Sequence, residues 1–187
     1  MDDSVFHRLY EQYHHDVFKF LIYLTRDRDH AEDLMHEVYL RVLRAYAGFE
    51  GKSSEKTWLF SIAKNVAIDH FRKSSVRKKH LFDKFDWEKS ELVSTGTLPE
   101  ELVTLSEEMK ELLQALNTCT GDQKMVIVMR YFQDLSISET AEILGWTEGK
   151  VKTTQHRAIK ALQKKLNALP AEGGKQDDRQ RVGRQQD

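Results

Sequence analysis

Residues 134–166 read DLSISETAEILGWTEGKVKTTQHRAIKALQKKL, a short amphipathic stretch followed by a longer basic one. Ser136 and Glu139 have the spacing of a capping box at the start of a helix. Gly145 stands where a helix end often needs the left-handed conformation, and Thr147 can cap a second helix. The stretch therefore predicts a helix-turn-helix, a motif that places its second helix in the major groove of DNA.

The predicted second helix has one apolar face and one cationic face. Val151, Ala158 and Leu162 recur at helical spacing, so we expect them to pack inward. Lysine and arginine neutralise phosphates, and arginine and short hydroxyls also reach base edges. The candidate duplex-binding residues are Lys150, Lys152, Thr153, Thr154, His156, Arg157 and Lys160. The alternative is an ordinary amphipathic helix with a solvated basic face.

The charge of the chain is strongly segregated. The formal net charge is only −1, yet residues 81–124 carry ten acidic and four basic side chains. Residues 125–169 carry seven basic and four acidic side chains, and residues 1–80 carry fourteen basic and twelve acidic ones. A near-neutral total therefore does not argue against a nucleic-acid partner.

Composition excludes several classes of protein. The single cysteine, Cys119, allows neither an intramolecular disulfide nor a cysteine-based zinc site. No apolar run approaches the about 18 residues of a membrane span. The N-terminus, MDDSVFHRLY, lacks the basic start and apolar core of a signal peptide. We expect a cytoplasmic protein.

Helical periodicity covers most of the chain, which has only two prolines. The fold class predicted is all-α, with two small helical domains joined by a flexible linker. The predicted helices lie near 4–25, 29–47, 56–73, 101–117 and 122–132, followed by the two of the helix-turn-helix. Asp29 and Glu32 have the spacing of a cap pair for the second helix. The predicted parts are an N-terminal domain at 1–78, a linker at 79–101, a C-terminal domain at 102–168 and a mobile tail at 169–187.

A polar loop, Gly51–Ser54, precedes the third predicted helix, on which Asn65, Asp69 and Arg72 share one stripe with Lys73. Cations beside aromatics and a polar loop suit single-stranded nucleic acid, whose unstacked bases need an enclosing surface. The candidate residues are Lys52, Ser53, Ser54, Lys56, Trp58, Lys64, Asn65, Asp69, Arg72 and Lys73. For the aromatics Trp58 and Phe60, a place in the core is the favoured interpretation.

The second predicted helix carries a mixed-charge stripe, formed by Asp33, Glu37, Arg41 and Arg44, beside a wide apolar one. Such a surface suits docking on a partner protein. The alternative is a set of ordinary ion pairs one turn apart, each contributing a few tenths of a kcal/mol.

Two long segments resemble one family. HAEDLMHEVYLRVLRAYAGFEGKSSEKTWLFSIAKNVAIDHFRK, residues 30–73, resembles region 2 of the extracytoplasmic-function (group IV) sigma factors. DQKMVIVMRYFQDLSISETAEILGWTEGKVKTTQHRAIKAL, residues 122–162, resembles their region 4. The two segments stand in the family's order, separated by a stretch suited to a linker.

The resemblance implies a role in transcription initiation rather than catalysis, with no cofactor, metal or small-molecule substrate. It implies that region 4 reads the −35 promoter element as duplex through the candidate residues of the basic helix. It implies that region 2 docks on core RNA polymerase through the mixed-charge stripe and holds the melted −10 strand with the loop Phe49–Lys56 and the following helix. The implied partners are promoter DNA, core RNA polymerase through its β′ clamp helices and β flap, and an anti-sigma factor, membrane-anchored in many members.

Two other functions stay open at this point. A transcription regulator that binds duplex DNA without joining polymerase would also use the helix-turn-helix. A helical metalloenzyme could use His30, Asp33, His36 and Glu37, which lie within two turns, together with the adjacent His14 and His15. That set forms no complete ligand motif.

Overall fold

The computed structural model describes residues 3–78 and 105–168, and the predicted linker and tail lie outside these ranges. All regular structure in them is helical, which confirms the all-α prediction. The helices are α1 (Asp3–Thr25), α2 (Arg28–Ala45), α3 (Glu55–Lys78), α4 (Glu107–Leu116), α5 (Gly121–Ile127), α6 (Ile137–Leu144) and α7 (Glu148–Leu166). A short 3₁₀ turn, Tyr46–Gly48, follows α2, and a π-helical segment, Val128–Phe132, follows α5. No helix in these two ranges is long and apolar enough to cross a membrane.

Helices α1, α2 and α3 pack on one another and form the N-terminal bundle. Their inward-facing side chains form the core, with Val17 on α1, Val38 on α2 and Ala63 on α3 all buried. Phe20 and Phe60 meet edge to face at the centre, with ring centroids 5.4 Å apart, so the core interpretation of Phe60 is confirmed. An aromatic pair of this geometry contributes about 1 kcal/mol beyond its buried area.

Helices α5, α6 and α7 form a second bundle with α4 packed against α7. The predicted capping box of α6 is present, since Ser136 and Glu139 bond to each other's backbone N–H. Gly145 adopts the left-handed conformation with φ 67°, and Thr147 caps α7 by accepting from the backbone N–H of Lys150. The helix-turn-helix predicted from residues 134–166 is therefore confirmed down to its caps.

Two details differ from the sequence-based expectation. The cap of α2 is Asp27, which accepts from the backbone N–H of His30, so the assignment of the cap to Asp29 was wrong. Arg26, at φ 53°, turns the chain sharply before Asp27, and the sequence carries no glycine there to signal the turn. The predicted helix at 122–132 is regular only to Ile127, because the backbone N–H of Gln133 bonds to the carbonyl of Val128 in a widened turn.

The two bundles contact each other. Helix α3 packs against α6, and the end of α1 packs against the π-helical segment, where the rings of Tyr23 and Phe132 lie 4.5 Å apart. The side chain of Lys124 is fully buried at this boundary. Its Nζ donates to the carbonyl of Leu24 at the end of α1 and to Oδ1 of Asn117, both at 3.1 Å.

Burial, assisted by the nearby Arg26 guanidinium and opposed by Cys119, lowers the pKa of Lys124 to about 7. An unperturbed lysine has a pKa of 10.5. The unfolded chain therefore binds more protons than the folded chain between those two values, and the free energy of unfolding rises with pH in that interval.

We expect the free energy of unfolding to rise by up to about 1.5 kcal/mol between pH 7 and pH 8.5 on account of Lys124. Urea denaturation at the two pH values measures this rise. Burial raises the pKa of the Cys119 thiol to about 11, so the measurement stays below the pH range in which the folded chain's thiol ionises. Lys124→Met should remove the rise, whereas replacing the exposed Lys165 by Met should preserve it. An equal rise in the Lys124→Met variant would contradict the assignment.

Candidate nucleic-acid interfaces

The polar loop before α3 is tethered at both ends. Both guanidinium nitrogens of Arg8 on α1 donate to the Glu55 carboxylate, at 2.7 and 2.6 Å. The hydroxyl of Tyr46 donates to the same carboxylate at 3.3 Å. The Arg8 hydrogen bond is the main reason why the pKa of Glu55 lies below its usual value. Ser54 caps α3 by accepting from the backbone N–H of Thr57 at 3.0 Å.

Three aromatic side chains on either side of this loop in sequence pack against one another. Trp58 is half-buried against the core, and its ring lies 5.8 Å from that of Tyr46 and 5.1 Å from that of Phe49. Gly51, at the crest of the loop, has φ 68°, a conformation that other residues rarely adopt. Lys52 is exposed and pairs with Glu50. The polar loop is therefore flanked in sequence by a cluster of three aromatic rings that are tilted against one another.

The stripe on α3 is an ion-paired surface. Asp69 accepts from Arg72 at 2.9 Å and from Arg41 on α2 at 3.4 Å. Asn65 and Lys73 are exposed on the same helix, and burial lowers the pKa of Lys64. The sequence alone did not indicate that Asp69, an anion in a proposed DNA-binding stripe, would be compensated by two arginines.

Lys56 faces the other bundle. Its Nζ donates to the carbonyl of Gln133, between the π-helical segment and α6, at 2.8 Å. The ammonium also lies 5.9 Å from the ring centroid of Phe60. Lys56 therefore differs in its contacts from Asp69 and Arg72, which bond within the N-terminal bundle.

The mixed-charge stripe on α2 includes an ion pair between Glu37 and Arg41, at 2.8 Å, and continues through Arg41 to Asp69. Asp33 and Arg44 are exposed. Leu40 and Leu43 are exposed by 47% and 42%, which is unusual for leucine in the middle of a helix. Sequence reasoning had missed these two residues, although they break the polar pattern of the exposed face.

On α7, an exposed cationic face combines Lys152, Thr153, His156, Arg157 and Lys160, with Thr154 half-buried at its edge. Lys152 pairs with Glu148 at 3.3 Å. Lys150 differs from the others, because its ammonium lies 3.9 Å from the ring centroid of Trp146 and 3.9 Å from Oδ2 of Asp122. The N-terminal turn of α7 is thus held against the bundle, and the following turns carry the exposed cationic face.

Within the two described ranges, no group of three or more histidine, cysteine or acidic side chains is placed to hold a metal ion. His30 instead pairs with its helix cap Asp27 at 3.1 Å, and the rings of His14 and His15 lie 4.0 Å apart. The metalloenzyme alternative therefore has no ligand set in this part of the chain.

Comparison with known proteins identifies both bundles. The family model for sigma-70 region 2 matches residues 9–77, and the model for sigma-70 region 4 matches residues 109–162. The ECF RNA polymerase sigma factor SigX of Bacillus subtilis is 45% identical over 185 residues, covering 99% of this chain and 94% of that protein. The RNA polymerase sigma factor YlaC of the same organism is 33% identical, covering 84% and 90%.

Two solved structures share the fold. The sigma factor RpoE of Bartonella quintana, crystallised with the anti-sigma factor NepR, superposes with a TM-score of 0.68 at 24% identity, covering 88% of this chain and 98% of that one. CnrH, in complex with the cytosolic domain of CnrY, superposes with a TM-score of 0.65 at 17% identity, covering 89% of this chain and 90% of that one.

We expect Glu55→Gln to loosen the loop before α3, because it removes the charge that Arg8 binds on both oxygens. Amide hydrogen exchange in residues 50–54 should quicken about threefold to fivefold, the size of effect expected for the loss of one exposed ion pair. Glu32→Gln breaks a comparable exposed pair, with Arg28, on another helix and serves as the control. Equal loop exchange in the two variants would mean that Glu55 does not hold the loop.

Proposed function

Because the chain belongs to the extracytoplasmic-function sigma factors, which are promoter-recognising transcription initiation factors, we propose how its two bundles divide that task. The C-terminal bundle reads the −35 element as duplex. The N-terminal bundle docks on core RNA polymerase and holds the melted −10 strand. The observation that carries this proposal is the presence, in one chain, of an exposed cationic helix and a tethered polar loop flanked by clustered aromatic rings.

The −35 element is contacted by α7. Lys152, Thr153, His156 and Arg157 lie in its first turns, where a recognition helix meets base edges. Lys160 is one turn further and neutralises phosphate, and Thr154 contacts the edge of the groove. Lys150 is held by Trp146 and Asp122, so its role is to contribute positive charge near the backbone rather than to reach a base.

The melted −10 strand is held by the loop and by α3. Lys52, Ser53 and Ser54 form the rim that encloses an unstacked base, and Trp58 forms part of the floor. Asn65, Arg72 and Lys73 follow the strand along α3, with Lys64 beside them and Asp69 orienting Arg72. Unstacking a base costs a few kcal/mol, and a pocket that accepts one base offsets that cost only at the right sequence. Recognition is thereby coupled to strand opening.

Core polymerase docks on α2. Asp33, Glu37, Arg41 and Arg44 supply charge that complements the β′ clamp helices, and the exposed Leu40 and Leu43 supply apolar area for the centre of the contact. The β flap contacts the C-terminal bundle. Because polymerase fixes the spacing of both bundles, each needs only weak affinity for its own promoter element.

Binding of polymerase and promoter separates the two bundles. Lys56 is half-buried where its ammonium donates to the Gln133 carbonyl, so a DNA strand gains full access to this ammonium when the second bundle moves away. The contact between α3 and α6 also brings the −10-binding helix against the helix-turn-helix. The arrangement with the bundles in contact is therefore the resting one.

We further propose a cytoplasmic protein without catalytic activity, cofactor or small-molecule substrate of its own. An anti-sigma factor is its expected regulator, a proposal supported by the two related folds that were solved in such complexes or with a cytosolic partner domain.

Run-off transcription tests the proposed function directly. The purified chain is added to bacterial core RNA polymerase on a library of random promoters, and the start sites are sequenced. Start-site selection that depends on the chain supports the proposal. Failure on every template, or autonomous binding to a duplex operator without association with core enzyme, would favour the DNA-binding regulator instead.

Arg157→Ala and Lys152→Ala should each weaken transcription from the selected promoter about fivefold to a hundredfold, the loss expected for one base or phosphate contact. Core polymerase binding, measured by co-purification, should stay unchanged because both residues lie outside the N-terminal bundle. Lys164→Ala, on an exposed position in the last turn of α7, is the matched control. Loss of core binding in either variant would contradict the division of tasks.

Replacing residues 49–54 by the loop of another sigma factor of the same group should change the −10 sequence preference, because this loop encloses the unstacked base. The change is read from the same promoter library, and the −35 preference of the chimera is the internal control. An unchanged −10 preference would remove the loop from the recognition surface.

A further inference from the structure

Arg130, Gln155 and Tyr131 form a chain of hydrogen bonds beside the recognition helix. Nε of Arg130 donates to Oε1 of Gln155 at 3.2 Å, and Nε2 of Gln155 donates to the hydroxyl of Tyr131 at 3.0 Å. Arg130 also donates to the carbonyl of Leu135, just before the cap of α6. The chain therefore links the π-helical segment, the start of α6 and the middle of α7.

The direction of these hydrogen bonds is fixed by chemistry. A guanidinium can only donate, so the oxygen of the Gln155 amide must face Arg130 and the amide nitrogen must face Tyr131. The tyrosine oxygen accepts that bond, and its own O–H proton is left to donate elsewhere. Each bond in such a chain polarises the next, so the terminal hydroxyl becomes a better donor. The fitting partner is an acceptor, preferably an anion.

The hydroxyl of Tyr131 lies at the edge of the cationic face of α7. Gln155, its partner, precedes His156 and follows Lys152 by one turn. The side chain of Tyr131 is exposed by 53%, although a large aromatic residue would gain by burial. A donor at this edge, beside residues proposed to contact duplex DNA, is suited to an anionic acceptor on that duplex.

We propose that Tyr131 donates a hydrogen bond to a phosphate of the −35 duplex, with Gln155 and Arg130 as the residues that position it. This inference rests on the proposed function of α7 and adds a contact from outside the recognition helix. Tyrosine hydroxyls are common donors to DNA phosphates. The contact sets the register of the helix in the groove and does not itself select a base.

A neutral donor leaves a signature that distinguishes it from a cation. Lysine or arginine at a phosphate releases condensed counterions, so its loss reduces the dependence of affinity on salt. Tyr131 carries no charge, so its loss should lower affinity and leave that dependence unchanged.

The test uses Tyr131→Phe in the complete chain bound to core polymerase, on a promoter selected from the random library. Affinity should fall about tenfold, the size expected for one hydrogen bond to a charged acceptor, with an unchanged salt slope. Lys160→Ala, the matched control, should lower both affinity and the salt slope, by about one unit. An unchanged affinity for Tyr131→Phe, or a loss of core polymerase binding instead, would overturn the proposal.

A scan of the promoter backbone identifies the acceptor. A neutral methylphosphonate replaces one phosphate of the −35 duplex at a time, and at one position Tyr131→Phe should cause no further loss of affinity. Additive losses at every position would show that no phosphate accepts from Tyr131. Gln155→Met removes the amide that donates to the Tyr131 hydroxyl, so it should weaken promoter binding as much as Tyr131→Phe does. The double variant should bind the promoter no more weakly than either single variant.

These outcomes are separate from a failure of the proposed function. If the unaltered chain selected no promoter with core polymerase, the proposed function itself would fall, and the role of Tyr131 would fall with it. If the unaltered chain selects a promoter and Tyr131→Phe binds equally well, only the phosphate contact is refuted.

Discussion

The amine of Lys124 lies between the end of α1 and the loop after α4, sealed from water, and it donates to the Leu24 carbonyl and to the Asn117 amide oxygen. The position has a physical logic, because the last carbonyls of a helix carry partial negative charge and lack partners within the helix. Burying a cation there is still costly unless both hydrogen bonds are kept. A small movement of α1 relative to the second bundle would therefore break a hydrogen bond of Lys124. Moving α1 further away would return the amine to water.

A second lysine also bridges the two bundles. Lys56 reaches across to the Gln133 carbonyl, so one of the cations nearest the loop before α3 is engaged by the second bundle. The other candidate residues keep their exposed faces, and the loop itself is held by Arg8 and Glu55 whether or not the bundles touch. The loop is thus held by contacts within its own bundle.

Sequence reasoning predicted the features that depend on neighbours along the chain. The capping box of Ser136 and Glu139, the stop at Gly145 and the inward positions Val151, Ala158 and Leu162 follow from local spacing, and the structure has them. The exposed leucines of α2 and the compensation of Asp69 by two arginines were missed, because they depend on how helices face one another. So was the burial of Lys124, since a lysine in a polar stretch ordinarily stays in water.

The π-helical segment Val128–Phe132 has a consequence for the evolution of this surface. Its widened turn accommodates one residue more than an α-helical turn would, and each residue of an α-helix advances the side chains by about 100°. Deleting a single residue of this segment would restore a regular helix and remove the widened turn that brings Arg130 and Tyr131 to Gln155. Homologous chains that use the same chain of hydrogen bonds should therefore keep Arg130, Tyr131 and the length of this segment.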